Sequence, residues 1–111
     1  MEYSLVIKQL NEKLGIPNSH IFNFNGTPGE EEYLRLFNNA NKELLRLSKY
    51  GLNPCFFYFA DNSEINAYAT KKNGTYAICM NKGLVEHFNR LFAYFNLNEY
   101  KELVKYQKIE K

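Results

Sequence analysis

Apolar residues open the chain at helical spacing: Tyr3, Val6, Leu10 and Leu14 share one face of a helix from about Glu2 to Leu14. Gly15 and Pro17 stop it, the glycine free to take a left-handed cap and the proline unable to continue. Residues 18–26 read as loop, with a short extended piece at Ile21 to Phe24. Thr27-Pro28-Gly29-Glu30 has the form of a capping box, with Thr27 as N-cap, Pro28 at the first helical position and Glu30 reaching back. The long helix it predicts ends at Gly51 and carries Tyr33, Phe37, Ala40, Leu44 and Leu47 as a stripe, widened by Leu34 and Leu45.

The period then changes. Cys55-Phe56-Phe57-Tyr58-Phe59 is a continuous apolar run between Pro54 and Asp61, which predicts a strand buried on both faces. Two β-prone stretches follow, Glu64 to Thr70 and Thr75 to Asn81, joined through Asn73-Gly74. Asn-Gly favours a two-residue hairpin turn because both residues tolerate positive φ, and this turn pairs Lys72 with Thr75, Thr70 with Ala77 and Tyr68 with Cys79. Alternation places Ile65, Ala67 and Ala69 on one face, expected to be the core face, and Asn66, Tyr68 and Thr70 on the other. Helical spacing returns from Gly83, with Leu84, Phe88, Leu91, Phe92 and Phe95 aligned, and Asn98 caps a last helix carrying Tyr100, Leu103, Val104 and Ile109. The fold class is α+β: two N-terminal helices, a three-stranded antiparallel sheet (residues 55–60, 64–70 and 75–81) and two C-terminal helices.

With 111 residues the chain is expected to be a single domain, 1–111, and 45% hydrophobic content suffices for a core. Fourteen basic against twelve acidic residues, scattered along the chain, give no basic stripe, so nucleic acid is not an expected partner. No apolar run reaches the roughly 18–20 residues of a membrane span, and the start lacks a secretory signal. Cys55 and Cys79 lie in apolar strands, as reduced thiols of a cytoplasmic protein would. Abundant asparagine, tyrosine and phenylalanine without tryptophan read as A/T-rich codon usage of a bacterium or phage.

Chemistry is sparse. Glycines are isolated, so no phosphate loop is present, and no HExxH occurs. His87 is a polar candidate without a partner at helical spacing, and such a lone histidine more often sits at a helix boundary. His20 lies in a polar loop, at no ligand spacing to the cysteines. Glu30, Glu31 and Glu32 suit the positive end of a helix, and Lys71-Lys72 a solvated hairpin tip.

The stretch from Phe56 to Leu84 resembles the segment before the active-site helix of gluzincin-like zinc metallopeptidases, the family of the CAAX prenyl proteases and bacterial heat-shock membrane proteases. The matching pieces are Tyr58-Phe59-Ala60-Asp61, Asn66-Ala67-Tyr68-Ala69, Asn73-Gly74, Tyr76-Ala77-Ile78-Cys79-Met80 and Gly83-Leu84. In that family zinc is held downstream by HExxH; the helix that should bring it reads Asn98-Glu99-Tyr100-Lys101-Glu102-Leu103-Val104-Lys105-Tyr106. The resemblance therefore implies the N-terminal, substrate-positioning sheet of a longer metallopeptidase-like protein, itself inactive, with zinc implied only for the longer relative. Its candidate peptide-binding hairpin is Asn66, Ala67, Tyr68, Ala69, Tyr76 and Ile78, and the expected partner is a peptide or protein. The alternative is a small interaction or dimerisation module, a homodimer through its apolar helices, without enzymatic activity.

Overall fold

The computed structural model describes residues 2–51 and 53–94. Three helices and a three-stranded mixed sheet make an α+β fold: α1 (Tyr3–Leu14), α2 (Glu30–Ser48), β1 (Cys55–Ala60), β2 (Ala67–Lys72), β3 (Thr75–Asn81) and α3 (Lys82–Tyr94). The expected last helix from Asn98, and the side chains of Phe92 and Phe95, lie outside the described residues.

Helix α1 buries the predicted stripe Tyr3, Val6, Leu10 and Leu14. It ends on Gly15, whose φ of 66° is left-handed and whose N–H bonds the Leu10 carbonyl. The expected capping box of α2 does not form. Thr27 donates its hydroxyl to the Phe24 carbonyl at 2.6 Å, and the Glu30 N–H bonds the Thr27 carbonyl, so a turn occupies Thr27 to Glu30. Pro28 has no N–H to be capped, and the helix begins after Gly29. Its far end is Ser48, short of the expected Gly51.

The hairpin matches its predicted register, Lys72 opposite Thr75, Thr70 opposite Ala77 and Tyr68 opposite Cys79. But β2 spans Ala67–Lys72 and not the expected 64–70, because residues 64–66 belong to the crossing that bonds Asn81. Asn73 and Gly74 both have positive φ, 51° and 79°, as the turn requires. Pairing of β1 corrects the all-antiparallel expectation. The strand order is β1-β3-β2, with β1 parallel to β3 from Cys55 opposite Tyr76 to Ala60 opposite Asn81. Residues 61–66 therefore cross the C-terminal end of β3 to reach β2. Five of the six β1 residues are buried, as suits a strand with helices on both faces.

Alternation sorts the sheet into two faces. One carries Phe56, Tyr58 and Ala60 beside Ala77, Cys79 and Asn81, with Tyr68 and Thr70 on β2. Helix α1 crosses this face, touching all three strands, with the Lys13 ammonium 6.0 Å from the centre of the Phe56 ring. The other face carries Phe57 and Phe59 on β1, Tyr76, Ile78 and Met80 on β3, and Ala67 and Ala69 on β2. Here α2 covers β1, and Tyr33 meets the Phe59 ring edge-on at 4.9 Å. The expected core face of β2 is thus corrected: every β2 residue is exposed, and Ile65 is 56% exposed. Ala67 and Ala69 lie on the side that α2 leaves open beyond β1.

Candidate functional site

The two edges of the sheet are treated differently by the chain. Along β1, Ile21 bridges Ala60 and the Phe22 N–H donates to the Phe59 carbonyl at 2.7 Å, in the extended piece expected near Ile21. The Tyr3 hydroxyl accepts from the Phe59 N–H at 3.1 Å and donates to the Phe22 carbonyl at 2.8 Å. Burial, only partly offset by that backbone bond, raises the Tyr3 pKa, so the hydroxyl stays protonated and able to donate. These contacts cover the edge at Phe59 and Ala60.

The β2 edge is open. The Asn81 N–H bonds the Asn66 carbonyl at 3.1 Å, one step beyond the Ala67–Met80 pair. Bonded and non-bonded pairs alternate in an antiparallel ladder, so residues 66, 68, 70 and 72 turn their backbone groups to β3. Ala67, Ala69 and Lys71 turn theirs outward. The Ala67 N–H is taken up by the Asn66 Oδ1 at 2.8 Å. Among the described residues nothing pairs with the N–H and C=O of Ala69 and Lys71, which leaves a short template for a further strand.

Beside this edge lies an open groove of about 880 Å³. The C-terminal half of α2 gives it Leu44 and Leu47, and the sheet gives it Cys55, Ala69, Tyr76 and Ile78. It exists because α2 covers β1 and stops there. The Lys71 ammonium lies 5.2 Å from the centre of the Tyr76 ring, at the rim. Burial raises the Cys55 thiol pKa, so this wall of the groove is uncharged at neutral pH.

Of the six expected hairpin residues, Ala67, Ala69, Tyr76 and Ile78 share this open face. Tyr68 faces the opposite way, donating its hydroxyl to the Asn81 Oδ1 at 3.0 Å. Asn66 serves the backbone, with its carbonyl on Asn81 and its side chain on Ala67. His87 is half-buried on α3 beside Phe88, their ring centres 6.4 Å apart. Cys55 and Cys79 stand on opposite faces at different register positions, a geometry that a disulfide does not bridge. Among the described residues no three His, Cys, Asp or Glu side chains converge to hold a metal ion. Nor is any described helix long and apolar enough to cross a membrane.

Sequence reasoning missed the knot that sets the edge. Asn81 is 0% exposed; beyond the Tyr68 bond, its Nδ2 donates to the Glu64 carbonyl at 3.3 Å. Gly83 donates its N–H to the Asn62 carbonyl at 2.9 Å, and residues 63 and 64 press on its Cα where a side chain would stand. Together they strap the 61–66 crossing across the end of β3. The available signal was an asparagine at the polar end of an apolar strand, followed two residues later by glycine.

Comparison with family models, curated proteins and solved structures finds no match to this chain.

Proposed function

We propose that the chain is a non-catalytic peptide-docking module, the substrate-positioning sheet of a zinc-metallopeptidase-like protein. One observation carries the docking: among the described residues the β2 edge is unpaired at Ala69 and Lys71, whereas Phe22 and Tyr3 cover β1 at Phe59. An extended peptide adds to such an edge through main-chain hydrogen bonds and places alternate side chains in neighbouring pockets. The metallopeptidase relationship is supported by the resemblance of Phe56 to Leu84, whose pieces coincide with β1, the hairpin and the start of α3. Zinc ligands do not assemble among the described residues, so no step through the metal belongs to them.

The test is binding of a fluorescently labelled unfolded polypeptide, reduced and carboxymethylated α-lactalbumin, followed by anisotropy. Ala69→Pro removes an outward N–H and leaves the ladder to β3 intact, a position edge strands tolerate. Binding by the native chain and its loss in a folded Ala69→Pro variant support the reading; undiminished binding by the variant refutes it.

Exposed Leu45 (64%) and Tyr50 (76%) favour a second reading, self-association through α2. Sedimentation equilibrium separates the two: Leu45 also lines the groove, so the deciding variant is Ala69→Pro, to which a dimer through α2 is indifferent.

A further inference from the structure

The groove adjoining β2 has a chemical character that selects among extended peptides. Among the described residues its walls carry no charged side chain; Leu44, Leu45, Leu47, Tyr76 and Ile78 are apolar, and Asn41, Ser48 and Asn53 are polar. A strand added outside β2 lies about 4.8 Å from it, and Ile78 stands one strand further in. Ala69, directly between, offers only a methyl group, so a long apolar side chain on the added strand passes over it to reach Ile78 and Tyr76. At one end of the same edge the Lys71 ammonium is poised over Tyr76. Lys71 is also one of the residues whose backbone turns outward, so a partner bonded there brings its own side chains alongside that ammonium. The neighbouring Lys72 belongs to the opposite face, its ammonium beside Gly15.

We infer that the edge is selective for extended peptides that pair a long apolar residue for the groove with an acidic residue for Lys71. The inference rests on the docking reading above and names the class of peptide that docks. Complementary charge at an otherwise apolar site is what distinguishes this class, since the main-chain bonds themselves are indifferent to sequence. Lys71 is a specificity residue and has no catalytic part.

Three short blocked peptides alternating threonine and leucine, differing only in carrying glutamate, glutamine or lysine at both ends, test it on the full chain by calorimetry. Placing the residue at both ends makes the outcome independent of strand direction. At low salt the glutamate peptide is expected to bind about fivefold more tightly than the glutamine peptide, the size of a partly exposed ion pair, and the lysine peptide more weakly still. The contrast should collapse in about 0.5 M sodium chloride, where screening acts over a few ångströms. Lys71→Gln should abolish it and Lys72→Gln preserve it, each variant confirmed as folded by its circular dichroism. Equal affinity of the native chain for the glutamate and glutamine peptides overturns the acidic preference while leaving edge docking in place. A contrast that survives Lys71→Gln, or vanishes with Lys72→Gln, overturns the assignment to Lys71. Failure of all three peptides to bind the native chain overturns the docking reading itself.

Discussion

Replacing Gly83 by alanine tests the strap at the end of the sheet. A Cβ at this position falls inside the contact distance of the Ser63 carbonyl and stands 2.8 Å from the Glu64 oxygen. Both neighbours are backbone, so neither can rotate away. The 61–66 crossing must retreat by more than about 1 Å to restore ordinary contact. Three bonds depend on its position: Gly83 N–H to Asn62 at 2.9 Å, Asn81 N–H to Asn66 at 3.1 Å and Asn81 Nδ2 to Glu64 at 3.3 Å. Weakening them costs about 1 kcal/mol each, and more at Asn81, whose buried amide would be left unpaired. Alanine near the start of α3 returns at most about 1 kcal/mol of helix propensity. The expected net loss is roughly 2–4 kcal/mol, read as a lower urea midpoint at unchanged slope. Unchanged or increased stability, as helix propensity alone would give, refutes the close approach and the strap built on it.

Asn81→Ala removes the acceptor of the Tyr68 hydroxyl and the donor to Glu64, and should cost about 1–3 kcal/mol in the same urea titration. Gly74→Val forces a β-branched residue to a φ of 79° and should cost on the order of 1–2 kcal/mol, several degrees in Tm. Burial, with the Glu86 and Glu32 charges adding to it, pushes the Tyr33 pKa up from 10.0 to about 12, and burial raises Tyr3 and Tyr58 too. Because the folded state holds these protons more tightly, their contribution is complete below pH 10 and is lost as pH rises through the folded values. Urea midpoints should therefore fall from about pH 10 upward, with the tyrosinate absorbance of these three appearing late; loss of all three protons near pH 10 in the folded chain would contradict it.

What could be read from the sequence was local. Asn73-Gly74 dictates its own turn, and the turn dictates the register down to Tyr68 and Cys79, so turn and register were legible although the extent of β2 was not. The stripe of α1 was legible for the same reason, since each apolar position is set by its neighbours three and four residues away. Direction of β1 was not: an apolar run announces burial on both faces and says nothing of which strand lies beside it. The inverted face of β2 has a different cause. Alanines there suggested room beneath a helix, whereas α1 packs over the small Ala77 and Cys79 of β3, on the face that Tyr68 shares. Of the six expected hairpin residues four share the open face; the groove walls Leu44, Leu47 and Cys55 and the outward backbone of Lys71 were not legible. The contrast between the edges is set by contacts distant in the chain, with Phe22 and Tyr3 covering Phe59 of β1 and no described residue pairing with Ala69 or Lys71 of β2.

Backbone amide exchange, followed residue by residue along β2, tests the open edge most directly. In the free chain the N–H groups of Tyr68 and Thr70 should be protected by the ladder, and those of Ala69 and Lys71 should exchange rapidly. Saturation with the glutamate-ended peptide should slow exchange at Ala69 and Lys71 while Tyr68 and Thr70 change little. Protection of Ala69 and Lys71 in the free chain, or no slowing at either on saturation, would contradict the account.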